Sequence, residues 1–335
     1  MWFKRLTGFQ ETSTQEVREQ LEVDGQQLKS KANGRSFQIG QLELPSLGEL
    51  RQRVNDTPKA KGKLQLRGLE ADVRYLHLEH ENAVFQAASQ FNLLEMPYPA
   101  VTPEEGISRY DEDLTQGPAC AIACGAGTIY RNYFVNLNGQ IGQSQDRQIN
   151  ALEGVIAQLN LPELESWKMT NGYALFDEPQ LKAIDSKLSK LKSAEREALK
   201  QELKIGMQWH TEVTLSNAGH LVSQAYCSAL PVAYSEVKST YWKAFAKLIL
   251  EAAYEATLHA AVLNLHQTGC NKVFLTLLGG GVFGNDIDWI SVAISQALQQ
   301  FKTTPLEVYI VNYGGMHPVI GDLIRTFNAS NNPND

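Results

Sequence analysis

The stretch that decides the fold is residues 272–315, which read KVFLTLLGGGVFGNDIDWISVAISQALQQFKTTPLEVYIVNYGG. Its first seven residues carry no charge after Lys272, and they predict a strand buried on both faces of a parallel sheet. Four glycines follow within six positions, and Asp286 and Asp288 then open a predicted amphipathic helix. Residues 306–311 predict a second buried strand. The loop between strand and helix should therefore present bare backbone N–H groups beside a helix N-terminus, an arrangement that binds anions.

The same glycines fit the G-x-G-x-x-G pattern of a Rossmann fold, at Gly279, Gly281 and Gly284. A nicotinamide site also needs an acidic residue at the end of the next strand, where this chain has Asn312 and Tyr313. A P-loop is excluded because no Lys-Ser or Lys-Thr pair follows the glycines. The pattern is weak by itself, so a tight turn without a ligand remains an alternative.

Composition excludes several classes of protein. The 335 residues carry a net charge of −7, which disfavours binding to the phosphate backbone of nucleic acids. The sequence has no apolar run of the roughly 20 residues that span a bilayer, and its first residues lack the apolar region of a signal peptide. Its four cysteines lie in apolar surroundings, as expected of free thiols in a reducing compartment. We therefore expect a cytoplasmic protein, and its oligomeric state stays open.

No metal or cofactor site is predicted from the sequence. Cys120 and Cys124 are four positions apart, which is not a zinc-knuckle spacing, and no second pair completes a tetrahedral site. His77 and His80 would lie on different faces of a predicted strand.

Strands that alternate with helices predict an α/β fold with helices on both faces of the sheet. The predicted strands are residues 72–79, 82–95, 130–135, 206–215 and 221–233, and the predicted helices are 148–159, 178–204 (a surface hairpin), 241–267 and 319–327. We divide the chain into an N-terminal extension (1–71), a core domain (72–327) with a helical insertion (177–206), and a disordered polar tail (328–335).

Acidic residues are dense between the predicted strand at 82–95 and a run of small residues at 119–128. They are Glu95, Glu104, Glu105, Asp111, Glu112 and Asp113. A solvated acidic loop is the simpler interpretation of any one of them. The small residues that follow, with a second glycine pair at Gly125 and Gly127, favour the wall of an active site.

Taken together, the loop GGGVFGN at 279–285, the strand and turn at 82–92 and the run TQGPACA at 115–121 resemble a macrodomain. The run at 115–121, with GAGT at 125–128, is similar to the divergent MavL-type macrodomains, which are arginine-specific ADP-ribosyl hydrolases of bacterial effectors. The resemblance covers about residues 72–327 and implies a three-layer macrodomain-like mixed sheet. It also implies an alternative location, as a secreted effector in a host cytosol.

What the resemblance implies for the ligand is ADP-ribose in the crevice at the carboxyl ends of the strands, with its diphosphate between the two glycine loops. Phe283 would cover the distal ribose and Tyr313 would stack on the adenine or its ribose. The ligand-binding residues implied are Gln86, Ser89, Asn92, Thr115, Gln116, Gly125, Ala126, Gly127, Thr128, Gly279, Gly280, Gly281, Val282, Phe283, Gly284, Asn285, Asn312 and Tyr313.

Hydrolysis of an ADP-ribosyl bond resembles glycoside hydrolysis, so a carboxylate is expected to aim water at ribose C1″. The candidates, in order, are Asp113, Glu105, Asp111 and Glu95, and further carboxylates would pair with an arginine guanidinium. The predicted function is removal of mono-ADP-ribose from protein side chains, arginine above all, without a cofactor; the partner is an ADP-ribosylated protein. A non-catalytic ADP-ribose reader and an NAD-dependent oxidoreductase are the alternatives.

Overall fold

A computed structural model describes residues 1–331. The helices are α1 (Trp2–Thr7), α2 (Thr14–Gln20), α3 (Leu47–Asn55), α4 (Val73–Glu79), α5 (Gln116–Ala123), α6 (Gly125–Tyr133), α7 (Glu153–Leu159), α8 (Glu178–Leu188), α9 (Ser193–Gln201), α10 (Ser239–Thr268), α11 (Ile287–Phe301) and α12 (Pro318–Asn331). The strands are β1 (Leu21–Asp24), β2 (Gln27–Ser30), β3 (Ser36–Gln38), β4 (Gln41–Glu43), β5 (Gln65–Glu70), β6 (Val84–Ala88), β7 (Asn136–Leu137), β8 (Gln140–Ile141), β9 (Gly206–Glu212), β10 (Leu221–Cys227), β11 (Lys272–Leu275) and β12 (Glu307–Asn312).

The main sheet has seven strands in the order β4-β9-β10-β6-β11-β12-β5. The five strands from β10 to β5 run parallel, whereas β9 is antiparallel to both β10 and β4. Helices cover both faces, and the side chains of each strand alternate between two cores. The predicted three-layer α/β architecture, a mixed sheet with helices on both faces, is therefore confirmed.

One face of the sheet packs on α10, the long helix that the sequence predicted at 241–267. Val84, Val273 and Ile310 point from the strands into this core, which also takes the buried faces of α8, α11 and α12. Gly269 ends the helix in a left-handed conformation, with φ +78°. The opposite face carries Phe85 and packs on α4 and α5.

The predicted strand–glycine loop–helix–strand unit is confirmed as β11, the loop at 276–286, α11 and β12. Asp286 begins α11 by accepting a hydrogen bond from the N–H of Asp288. Since β11 ends at Leu275, the loop begins earlier than the sequence pattern indicated.

Residues 1–71, which the sequence presents as an extension, are built into the fold. β4 and β5 form the two edges of the main sheet, so the sheet does not begin at residue 72. The residues before β4 form α1, α2 and the small sheet β1-β2-β3, which pack with α6 around Phe3, Leu28 and Ile129.

The prediction of a strand at 72–79 is wrong, because these residues form α4. Asp72 caps the helix by accepting from the N–H of Arg74, and Val73, Leu76 and His77 bury one helical face. Over so short a segment, apolar residues spaced by three and four positions also resemble alternation. The helix makes His77 a core residue: its Nδ1 bonds the carbonyl of Val73 at 2.8 Å.

The predicted glycine loop at 125–127 and strand at 130–135 are also wrong, because Gly125–Tyr133 is the helix α6. A Cβ on Gly127 would lie 2.8 Å from Thr211 Oγ1, and one on Gly125 would lie 2.7 Å from the Trp2 ring. These glycines let the helix approach its neighbours closely, and that packing demand outweighs their usual preference for turns.

Two further predictions concern the second half of the chain, and a third concerns all of the helices. The hairpin predicted at 178–204 is helical, as α8 and α9, but Leu181, Ile184 and Leu199 pack into the main core and not onto a solvated surface alone. Residues 328–331 of the predicted disordered tail continue α12, and the rest of that tail lies outside the described residues. None of the described helices is long and apolar enough to cross a membrane.

Candidate active site

The loops that follow the parallel strands meet at their carboxyl edge. Here lie the turn 89–96 after β6, the glycine loop 276–286 after β11, and residues 313–317 after β12. A small cavity of about 10 Å³, room for about one water molecule, lies at the ends of β6 and β11 and is lined by Ala88, Gln116, Cys120 and Thr276, among others. Open α/β sheets bind ligands at this edge, so these loops form the candidate site.

The glycine loop has a conformation that only glycine suits. Gly279 and Gly284 both have φ +69°. A Cβ on Gly279 would lie 2.5 Å from Asn285 Nδ2 and 2.6 Å from Ala229 Cβ. Asn285 closes the loop: its N–H donates to the carbonyl of Gly279, and its side-chain amide donates to that of Leu230. The loop is thus shaped before any ligand arrives.

The exposed tip of this loop carries free hydrogen-bond donors. Within the described part of the chain, the N–H groups of Gly281, Val282 and Phe283 find no acceptor. Gly281 has open space around its Cα, and α11 begins a few residues later. Free N–H groups next to a helix N-terminus suit a phosphate or diphosphate, as the sequence predicted.

Glu95 is a buried carboxyl group at the same edge. Its exposed fraction is 7%, and its Oε1 has no hydrogen-bond partner among the described residues. A Cβ on Gly117 would lie 2.6 Å from its Oε2, so the first turn of α5 packs directly on the carboxyl group. Burial raises the pKa of Glu95 well above its usual range; the positive charge of Arg131 opposes this rise, and the negative charge of Asp113 adds to it.

Asp113 and Tyr110 bring the acidic loop to Glu95. The N–H of Glu95 donates to the hydroxyl oxygen of Tyr110 at 2.8 Å. Asp113 is half-buried, and its carboxylate accepts from the N–H of Thr115 just before α5. Two carboxyl groups in unlike settings therefore interact through their charges, one buried and favouring the protonated form and one half-buried.

Three aromatic rings join the glycine loop to the carboxyl groups. The Phe283 ring lies 5.5 Å from that of Tyr173 and 5.6 Å from that of Tyr234, centroid to centroid. The Tyr173 hydroxyl donates to the carbonyl of Met96, the residue after Glu95. Burial raises the pKa of Tyr173, followed by the effect of Tyr234 and the negative charge of Glu95. The site thus has an apolar wall between the anion-binding loop and the acid.

Arg131 supplies a buried positive charge behind Glu95. Its guanidinium donates to the carbonyl of Leu93 and to Thr128 Oγ1, and it lies 3.7 Å from the centre of the Tyr226 ring. It is 1% exposed. Thr128, predicted to touch the ligand, holds this arginine instead.

Two predicted catalytic residues have structural partners. Asp111 accepts from the N–H of Trp2 at 3.2 Å, and exposed Glu105 accepts from the N–H of Thr102 in a local cap. Glu95, ranked last from the sequence, is buried with a raised pKa, and the charge of Asp113, ranked first, contributes to that rise.

The other residues predicted to contact the ligand are either buried with structural partners or exposed. Gln86, Asn92 and Asn312 are buried, and their amides bond Thr257, Gln148 and the carbonyl of Ile310, respectively. Ser89 bonds the carbonyl of the next residue, and Gln116 accepts from the N–H of Val73. Gly125, Ala126 and Gly127 are buried in α6. The exposed positions are Gly280, Gly281, Val282, Gly284, Thr115 and Tyr313.

Sequence reasoning missed Tyr110, Tyr173 and Arg131. Tyr110 lies within the acidic loop, but nothing in the sequence indicates that its hydroxyl reaches Glu95. Tyr173 and Arg131 lie outside the segments that carried a site signal. Arg131 had one available clue, because it is a charged residue within an otherwise apolar and aromatic run.

Fold and site together define an α/β protein with a mixed sheet and an anion-binding loop beside a buried acid. No protein-family model matches the chain, and no curated protein sequence matches it. Solved structures resemble it at low sequence identity. One is a poly(ADP-ribose) glycohydrolase from Thermomonospora curvata bound to the inhibitor ADP-HPD, with 11% identity, a TM-score of 0.44, and coverage of 94% of this chain and 97% of that one. Another is a poly(ADP-ribose) glycohydrolase from Deinococcus radiodurans in complex with ADP-ribose, with 14% identity, a TM-score of 0.44, and coverage of 86% and 94%. A likeness at this level carries no argument about activity.

Proposed function

We propose that this protein is an ADP-ribosyl hydrolase that releases ADP-ribose from a modified protein side chain. The observation that carries the proposal is the buried, unpartnered carboxyl oxygen of Glu95 at the same sheet edge as the free N–H groups of residues 281–283. An anion-binding loop fits the diphosphate, and a carboxyl group with a raised pKa fits the acid of a glycoside-type cleavage.

The proposed reaction uses side chains and water alone. The bond from ribose C1″ to the modified side chain breaks, and the proton of Glu95 passes to the departing atom. Water attacks C1″ and gives its proton to Asp113, so the products are free ADP-ribose and the unmodified side chain. The ring of Phe283, at the tip of the glycine loop, packs on Tyr173 and Tyr234, where it would cover the distal ribose and exclude other water.

Arginine is the side chain we propose as substrate. A guanidinium leaving group is planar and cationic, and carboxylates pair with it well. Exposed Glu104 and Glu105 belong to the acidic loop that reaches the site through Asp113. The cytosol, of this cell or of a host, is the location in which such a substrate would be met.

Calorimetry followed by a release assay tests the proposal. We expect ADP-ribose to bind with a clear preference over NAD and AMP. Release of ADP-ribose should be measured from arginine-, serine- and glutamate-linked substrates and from poly(ADP-ribose), with arginine fastest. Glu95→Gln should lower the rate by roughly 10²–10⁴-fold, the usual contribution of a general acid, and retain binding.

The matched control is Glu112→Gln, which changes an exposed glutamate of the acidic loop whose partner is Arg109. It should keep the rate of the unmodified chain. Normal turnover by Glu95→Gln would remove Glu95 from the mechanism. A preference for NAD would overturn the assignment of the glycine loop.

A non-catalytic reader of ADP-ribose is the second candidate. The burial of Glu95 favours it, because Oε1 is out of contact with solvent. Tight ADP-ribose binding without release from any of the four substrates would select the reader.

A further inference from the structure

We propose that Glu11 is a positioning residue for the active site: through the turn at 106–108 it fixes Tyr110 and Asp113 against Glu95. This inference rests on the proposed function for its catalytic part. It assigns the N-terminal segment, remote in sequence from every candidate catalytic group, to the machinery of the site.

Glu11 contacts the turn at 106–108 directly. Its carboxylate accepts from the N–H of Ile107 at 2.9 Å and from the N–H of Ser108 at 2.6 Å, both on Oε2. Gly106 precedes them at φ +91°, and a Cβ there would collide with the same carboxylate. The turn is therefore shaped to bring two N–H groups onto one carboxylate, a charge-assisted arrangement stronger than neutral hydrogen bonds.

Glu11 is also hydrogen-bonded to α6, the helix that carries Arg131. The hydroxyl of Tyr133 donates to Glu11 Oε1 at 2.6 Å. Tyr133 lies in α6, two residues after Arg131, whose positive charge acts on Glu95. A single carboxylate thus ties the acidic loop to α6, and both segments contribute to the environment of Glu95.

The turn at 106–108 continues into the segment that contacts Glu95. This segment is a 3-10 turn, Ser108–Glu112. Tyr110 within it accepts from the N–H of Glu95, and Asp113 directly follows it. Trp2 supports the same segment, since its indole N–H donates to the carbonyl of Ile107 at 3.2 Å. Loss of the Glu11 contacts would free the turn and let both groups move away from Glu95.

The test compares Glu11→Ala and Glu11→Gln with Glu22→Ala, which changes an exposed glutamate on β1 of the same region. We expect Glu11→Ala to lower kcat roughly ten- to a hundredfold, as small misplacements of catalytic groups do, and to leave KM within about twofold, because the glycine loop is untouched. Glu11→Gln keeps the size of the side chain and one acceptor oxygen, so its kcat should lie between the values of Glu11→Ala and the unmodified chain. Glu22→Ala should match the unmodified chain.

Hydrogen exchange supplies a readout that does not depend on turnover. In Glu11→Ala the amide protons of Ile107, Ser108 and Glu95 should exchange faster, while those of β6 and α10 keep their protection. Equal kcat in Glu11→Ala and Glu22→Ala would overturn the proposal, and so would faster exchange across the whole chain, which would indicate general destabilisation. If the unmodified chain releases no ADP-ribose, the proposed function fails. In that case, unchanged amide exchange at Glu95 in Glu11→Ala would separately refute the positioning role of Glu11.

Discussion

At the scale of single residues, the protonation of Glu95 couples chemistry to stability. Its pKa in the folded chain is raised above its ordinary value of 4.5, so the folded state binds this proton more tightly than the unfolded state does. As pH rises from that ordinary value through the raised one, ionisation of buried Glu95 lowers the free energy of unfolding. The effect is about 1.4 kcal/mol for each unit by which the two pKa values differ.

Glu95→Gln should remove this dependence, because glutamine has the same shape and does not titrate. We expect the free energy of unfolding of the variant to fall less than that of the unmodified chain as pH rises above 4.5. Denaturant unfolding at several pH values measures it, with Glu112→Gln as the control that keeps the original profile. Parallel curves for Glu95→Gln and the unmodified chain would contradict a raised pKa.

Asp113→Asn should change both the rate and its pH dependence. Activity that needs protonated Glu95 falls as pH rises through its pKa. The negative charge of Asp113 contributes to that raised pKa, so the variant should lose activity at a lower pH, and its rate should be roughly 10²-fold lower. A pH–rate profile of the residual activity measures the shift. A falling limb at an unchanged pH would show that the two carboxyl groups do not interact.

At the scale of elements, two glycines of the glycine loop have different roles: Gly279 sets the shape of the loop, and Gly281 is expected to contact the ligand. Gly279→Ala must strain φ and displace Asn285, at a cost of about 1–3 kcal/mol of stability. Gly281→Ala has open space and should leave stability unchanged. Its methyl group would nevertheless meet a phosphate that approaches the N–H, so ADP-ribose affinity should fall.

Thermal unfolding and calorimetry on these two variants test the loop, with Gly48→Ala in α3, at ordinary contact distance from Gln201, as the control. Full ADP-ribose affinity in Gly281→Ala would place the diphosphate elsewhere.

The same elements show what a sequence can predict. The unit at 272–312 was predictable because its strands are uniformly apolar and its helix has a cap and a clear period. α4 and α6 were not. Over only seven residues the helical spacing of α4 also resembles alternation, and α6 contains glycines that usually favour turns. The rank of Glu95 was also beyond the sequence, because burial and the missing partner of Oε1 depend on α5 and on residues 15 or more positions away.

At the scale of the whole molecule, a buried ionic cluster centred on Glu255 joins distant segments. Arg51 of α3 donates to Glu255 at 2.6 Å and Lys200 of α9 at 2.8 Å. Burial alone would raise the pKa of Glu255, but hydrogen bonds from His259, Lys200 and Gln300 hold it below its ordinary value. The cluster ties the N-terminal region and the predicted insertion to α10, so neither is an independent appendage.

Glu255→Ala should remove the buried partner of Arg51 and Lys200, which would keep only half-exposed Glu197, and destabilise the chain by about 3–5 kcal/mol, the cost of breaking a buried ion pair. Glu197→Ala, at the half-exposed rim of the same cluster with a side chain 40% exposed, should cost less than about 1 kcal/mol. Denaturant unfolding measures both values. Similar losses in the two variants would mean that burial does not govern this cluster.

The placement of β5 at one edge of the main sheet also has a consequence for synthesis on the ribosome. Among the described strands β5 pairs with β12 alone, and Leu66 pairs with Val308, 242 positions later. The central strand β6 likewise finds β11 only when residue 273 has emerged. For most of translation β5 and the buried strand β6 have open edges, which are prone to wrong pairing. The nascent chain should therefore depend on chaperone binding until nearly its last helix is made.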